Sequence, residues 1–177
     1  MNETAFHSMA DGRCIAFRLM PGTGPTLVFL PGYMSDMAGS KACAVFDWAQ
    51  ANGRSCLLLD YSGCGESSGQ FSQGTLSRWC EEVLALIAAH CPGKVVLAGS
   101  SMGGWLMLHV GRRLGERLAG LVGIAAAPDF TEWGFSEAQK AEMAAGGTVF
   151  EHNPYGPEPT PTFAEFWKDG QEMRLLA

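Results

Sequence analysis

Two short stretches of this sequence could present a nucleophilic serine. Gly99-Ser100-Ser101-Met102-Gly103 and Gly65-Glu66-Ser67-Ser68-Gly69 both satisfy G-x-S-x-G. That spacing suits a tight strand-to-helix turn, which lifts a serine Oγ clear of the backbone for attack on a carbonyl carbon. The chain holds 23 glycines among 177 residues, so a bare match carries little weight and the surroundings must choose. An apolar run, KVVLA (94–98), leads into Ser101, and MGGWLMLHV (102–110) follows with helical apolar spacing. Ser67 lies well past the nearest strand-like run and is followed by the polar stretch 70–74. Ser101 is therefore the candidate nucleophile, and Ser67 reads as a turn residue.

A serine nucleophile needs donors for the developing oxyanion. Met102, directly after Ser101, offers its backbone N–H at the positive end of a helix. The second donor should come from the loop LPGYMSDM (30–37), where Gly32 lets the chain turn and Tyr33 is the candidate N–H. A base and an acid are harder to place. The required order Ser…Asp…His can be met by Ser101, Asp129 and His152, but His152 lies in a Pro/Gly-rich stretch. Asp129 reads more readily as a cap-entry turn or helix-start residue. His109 sits eight residues along the helix from Ser101, roughly 12 Å away at 1.5 Å per residue, too far for a general base. His90 closes another helix and His7 falls in the first strand.

The elements that must position these residues follow from periodicity. TAFHSM and RCIAFRLM form a hairpin around Asp11-Gly12, and TLVFLP (26–31) and SCLLLD (55–60) are buried strands. Ser40 is expected to cap a helix through Asn52, and Thr75 a helix with Leu76, Trp79, Cys80, Val83, Leu84 and Ile87 on one face. Strands follow at KVVLAGS and LAGLVGIAAA (118–127). This alternation predicts an α/β fold, a mostly parallel, doubly wound sheet of six strands. The organisation expected is a core over residues 1–128 and an aromatic-rich segment over 129–177. In that segment one helix is expected near 136–145 and another from about Thr162. Pro154, Pro157, Pro159 and Pro161 argue against regular structure there, and no strand is expected in the segment.

With 47% hydrophobic and 17% charged residues the chain reads as globular. A net charge of −6 without a Lys/Arg run argues against a nucleic-acid surface. No apolar run reaches the roughly 18 residues of a membrane span, and the first residues lack a secretory pattern. The six cysteines include no C-x-x-C pair. They read as reduced core residues of a cytoplasmic protein, without a disulfide framework or a metal site. No cofactor is expected.

The stretches FLPGYMSDMAGSKA (29–42), LDYSGCGESSGQF (59–71), TLSRW (75–79), LAGSSMGGWLMLH (97–109) and GIAAAPDF (123–130) resemble the α/β-hydrolase superfamily. The similarity is strongest to its branch of acyl-glucuronide esterases and palmitoyl-protein thioesterases, with their bacterial relatives. The resemblance implies Ser101 as nucleophile, and Tyr33 and Met102 as oxyanion donors. It makes GCGESSGQ a structural loop and the aromatic segment 130–170 a cap over an acyl pocket. It also implies an acid after a seventh strand and a histidine after an eighth, both beyond position 177, in a chain of about 250 residues. The expected function is a serine esterase or thioesterase working through an acyl-enzyme on a small-molecule acyl substrate. It would be active once a C-terminal part, or a second chain, supplies acid and base. Met34 and Met37 beside the oxyanion loop suit an apolar acyl group. The alternatives are a non-catalytic binding or scaffold protein on the same fold, and another chemistry such as a lipase or perhydrolase.

Overall fold

The computed structural model describes residues 3–153 and 156–176. An N-terminal hairpin, β1 (Ala5–Ser8) and β2 (Cys14–Met20), leads into β3 (Thr23–Leu30). Then follow α1 (Ser40–Ala51), β4 (Arg54–Leu59), α2 (Leu76–His90), β5 (Val95–Ser100), α3 (Met102–Leu114) and β6 (Leu118–Ile124). The six strands form one sheet in the order β1-β2-β4-β3-β5-β6. Strands β3 to β6 are parallel to one another; β2 is antiparallel to both β4 and β1, so β2 alone runs against the rest.

Successive side chains of a strand point to opposite faces, and both faces are covered. Val28, Leu30, Leu57, Leu59 and Leu97 pack with Trp79, Val83 and Leu86 of α2 and with Trp105, Leu106 and Val110 of α3. Their neighbours Phe29, Cys56, Leu58 and Ala98 pack with Ala42, Phe46 and Ala49 of α1. This is why β3 to β5 read as continuous apolar runs instead of alternating ones. Thr75 caps α2 as expected, its hydroxyl accepting from the Arg78 N–H. Helix α1 differs from expectation: Gly39 holds the cap position without a side-chain bond, and Ser40 is the first helical residue. All six cysteines are free thiols, four of them buried.

Strand β6 closes the sheet with no outer partner among the described residues, and Leu121 and Val122 are 43% and 48% exposed. Beyond it come α4 (Phe130–Trp133), α5 (Glu137–Ala144), β7 (Thr148–Glu151), β8 (Thr160–Phe163) and α6 (Ala164–Glu172). Helix α5 begins with a capping box between Ser136 and Gln139. The antiparallel pair β7–β8 overturns the expectation that prolines exclude strands here. In a two-stranded ribbon both strands are edges, and an edge tolerates a residue without an N–H. Pro161 thus sits opposite Phe150. Pro154, the first of the four prolines, lies outside the described residues. Among the described residues no helix is long and apolar enough to cross a membrane.

Candidate active site

Ser101 stands at the carboxyl end of β5 with φ 53° and ψ −120°, exposed at the start of α3. A side chain in that conformation costs about 1–3 kcal/mol and persists only when its surroundings hold it. Here the Ser101 N–H donates to the Ile124 carbonyl at 3.0 Å, and its carbonyl accepts from Gly104 at 2.9 Å and Ala127 at 3.1 Å. Gly103 completes the turn: a Cβ there would lie 2.1 Å from the Leu30 carbonyl oxygen and 2.4 Å from that of Pro31. Both carbonyls belong to the chain entering the loop after β3, so this close approach presses the loop against the serine. Gly103→Ala must move one backbone away from the other. It is expected to lower stability by about 1–3 kcal/mol, read as a Tm lower by about 3–10 °C in thermal unfolding.

The loop after β3 touches the elbow directly. A Cβ on Gly32 would sit 3.3 Å from the Ser100 carbonyl oxygen and 3.5 Å from the Ser101 Cβ. Tyr33 follows, and the Ser35 N–H turns back to the Gly32 carbonyl at 3.1 Å. Met102 is the first residue of α3, where helix amides have no partner within the helix. Among the described residues neither the Tyr33 nor the Met102 N–H has a protein acceptor.

Two carboxylates that sequence reasoning missed hold the surrounding loops. Asp60, at the end of β4, is 1% exposed. It accepts from Met37 at 2.7 Å and from Glu66 at 2.8 Å, clamping the loop after β3 to the Gly/Ser-rich loop 61–70. Burial pushes its carboxyl above the usual carboxylate range, against the pull of those two N–H groups. Glu82 of α2 is fully buried, accepts from the Ser62 N–H at 2.9 Å and is paired with Arg13. Ser67 of the second G-x-S-x-G match is engaged in structure. Its hydroxyl donates to the Asp60 carbonyl at 2.7 Å and accepts from the Ala16 N–H at 2.8 Å.

The segment after β6 folds over this loop. The Tyr33 ring packs on Phe166 of α6 at 4.7 Å and Phe71 at 4.9 Å between centroids. Its hydroxyl donates to the Pro161 carbonyl at 3.1 Å. A cavity of about 410 Å³ lies beside it, lined chiefly by Met34, Cys64, Phe71, Pro161 and Phe163. Helix α6 is anchored from below, where the Asp169 carboxylate accepts from the Ser77 N–H at 2.9 Å in the first turn of α2.

The candidate acid and base are not brought together. Asp129 is 4% exposed with φ 56° at the start of α4. Its carboxylate oxygens accept from the N–H groups of Leu175, at 2.9 and 3.0 Å, and of Leu176, at 2.7 Å. An ionised carboxylate only accepts, and these oxygens are taken by the chain's last described amides. His152 is exposed in the connection between β7 and β8. Among the described residues no hydrogen bond links Ser101, Asp129 and His152. His109 lies within 2.7 Å of the Met173 carbonyl through Nε2, and burial lowers its pKa. Because the carbonyl can only accept, the ring donates there and pins the C-terminal segment. His90 stacks on Phe17 at 4.3 Å, with His7 edge-on at 5.3 Å. Among the described residues no three His, Cys, Asp or Glu side chains form a group that could hold a metal ion.

Residues 27–174 match the model of the alpha/beta hydrolase family. Among curated proteins the chain is similar to the human palmitoyl-protein thioesterase ABHD10, mitochondrial: 40% identical over 125 residues, covering 71% of this chain and 41% of that protein. Among solved structures it is similar to alpha/beta hydrolase domain-containing protein 10 from mouse, with a TM-score of 0.88 and 30% identity over 98% of this chain and 71% of that one. A protein from Agrobacterium vitis S4 superposes with a TM-score of 0.86 and 36% identity, covering 98% and 73%. The chain thus spans about two fifths of the length of the curated relatives it matches. The cytoplasmic placement expected from the cysteines is overturned, since those relatives are named as mitochondrial proteins and point there instead. Burial shields a thiol in any compartment, so buried cysteines do not report location. The six-stranded α/β sheet, the matched family model and these structural likenesses agree, and the chain belongs to the alpha/beta hydrolase family.

Proposed function

We propose that this chain carries the nucleophile and oxyanion hole of a serine hydrolase that cleaves acyl thioesters or esters. The observation that supports this most is the left-handed Ser101 at the end of β5, with Gly32 of the facing loop packed against its Cβ. In this reading Ser101 Oγ attacks the acyl carbonyl, and the N–H groups of Tyr33 and Met102 stabilise the oxyanion. The thiol or alcohol leaves with a proton, and water then releases the acid from the acyl-enzyme. Residues 129–176 act as a cap over the acyl group. The histidine that takes the Oγ proton, and the carboxylate that orients it, come from sequence outside these 177 residues. The human relative's name, palmitoyl-protein thioesterase, makes a long-chain acyl thioester the first substrate to test.

A second reading, a binding protein that keeps the fold without turnover, is favoured by one observation: among the described residues no histidine bonds to Ser101. A fluorophosphonate probe applied to the full-length protein, with the adduct mapped by peptide mass spectrometry, separates the two. Labelling at Ser101 and none at Ser67 is expected. A full-length protein unlabelled at Ser101 sinks the hydrolase reading.

A further inference from the structure

Tyr33 touches the candidate site at both ends of the residue. Its backbone follows Gly32, which lies against Ser101, while its phenol reaches across to strand β8. We propose that the Tyr33 hydroxyl is a latch: by donating to the Pro161 carbonyl it fixes the β7–β8 hairpin as the roof of the acyl pocket and so sets the fit of a long acyl chain there. This rests on the reading of Ser101 as nucleophile.

Four observations carry the inference. The cavity of about 410 Å³ is lined by Pro161 and Phe163 of β8 together with the apolar Met34, Cys64 and Phe71 and the polar Ser35 and Asp36. The hairpin therefore forms a wall of the cavity, and its position sets the width. The hairpin is a two-stranded ribbon apart from the main sheet, and such a ribbon is marginally stable without further support. Val149 of β7 gains its support by packing with Phe135 and Met143, and at β8 the Tyr33–Pro161 bond adds a polar tie beside the Phe163–Phe71 contact. The ring is held between Phe166 and Phe71, so the hydroxyl is aimed by packing on both sides. Finally, Met34, the next residue, has a left-handed φ of 55° and lines the cavity, so the chain direction at Tyr33 and the cavity floor are set together. Burial also pushes the Tyr33 phenol far above its ordinary pKa, so it remains a donor across the physiological range. Tyr33 is in this sense a positioning residue through its side chain and an oxyanion donor through its amide.

The cavity's occupant is an apolar acyl chain entering between Met34 and Phe163. Ser101 does not itself line the cavity, so an acetyl group held at the serine does not fill it. The latch therefore matters most for long chains, and its loss changes the dependence on chain length.

Tyr33→Phe in the full-length protein keeps the ring packing and removes only the hydroxyl. Hydrogen–deuterium exchange is expected to quicken about tenfold at the amides of β7 and β8, as befits one lost hydrogen bond, while α2 and α3 keep their protection. The ratio of kcat/KM for a decanoyl thioester to that for an acetyl thioester is expected to fall about tenfold, chiefly through a higher KM for the long chain. Unchanged exchange in the hairpin, or an equal loss for both substrates, overturns the latch. A wild-type protein that turns over neither thioester overturns the hydrolase reading instead, and the exchange result still decides the latch.

Discussion

Ser101→Ala is expected to reduce thioester hydrolysis by the full-length protein to background, a loss of about 10⁴- to 10⁶-fold in kcat, with no measurable change in Tm. The two halves of that expectation come from the same geometry. The Ser101 side chain is exposed and makes no hydrogen bond within the described residues, so its removal leaves no cavity and no orphaned partner. The backbone bonds to Ile124, Gly104 and Ala127, which hold the turn, do not use the hydroxyl. Ser67→Ala is the matched control and reverses the pattern. It orphans the Ala16 N–H and removes a donor from the Asp60 carbonyl. The expected cost is about 1–3 kcal/mol of stability, while turnover per folded molecule is retained. Steady-state kinetics and thermal melts on both variants check this. If Ser101→Ala keeps its turnover, the catalytic assignment is lost whatever happens at Ser67.

What could be read from the sequence was what local pattern encodes. Thr75, the helical stripe after it and the strand entering Ser101 each lie within one stretch of chain, and each took the expected form. The choice of Ser101 over Ser67 also rested on local context: a strand before and a helix after. What could not be read were the contacts that close over long separations. Glu81 and Glu82 are adjacent and chemically identical, yet one is exposed and the other fully buried. Only the fold brings Arg13 and the Ser62 N–H to the second. Asp60 likewise joins two loops, and Asp129 spends its carboxylate on Leu175 and Leu176, forty-odd residues on. The β7–β8 hairpin escaped because proline was weighed as a ladder breaker, and whether a strand is central or an edge is a tertiary property. The cap of α1 shows the limit at finer scale: Ser40 has the right chemistry, but the chain enters the helix one residue earlier, at Gly39.

Glu82→Ala should be among the most destabilising single changes in the chain, costing about 3–5 kcal/mol. Glu82 is fully buried, and the side chain of its partner Arg13 is 13% exposed. Burial pushes the Glu82 carboxyl above the ordinary carboxylate range, against the Ser62 N–H and the guanidinium that pull it down. Desolvation thus outweighs the attraction that favours the charged form, yet each member depends on the other. Among the described residues, removing the carboxylate leaves the guanidinium with the exposed Asp11, at 2.7 Å, and Glu81, at 3.8 Å, and strands the Ser62 N–H at the entrance to loop 61–70. That loop lines the cavity under β8 through Cys64, so the cavity should loosen together with the fold. In a chain of this size the loss corresponds to a Tm lower by about 10 °C or more. Glu82→Met combined with Arg13→Met discriminates between lost attraction and an uncompensated charge. If the cost of the single variant is the stranded guanidinium, the double variant recovers most of it. If the ion pair itself stabilises, the double variant is at least as unstable as Glu82→Ala, and thermal melts of the three proteins side by side decide between them.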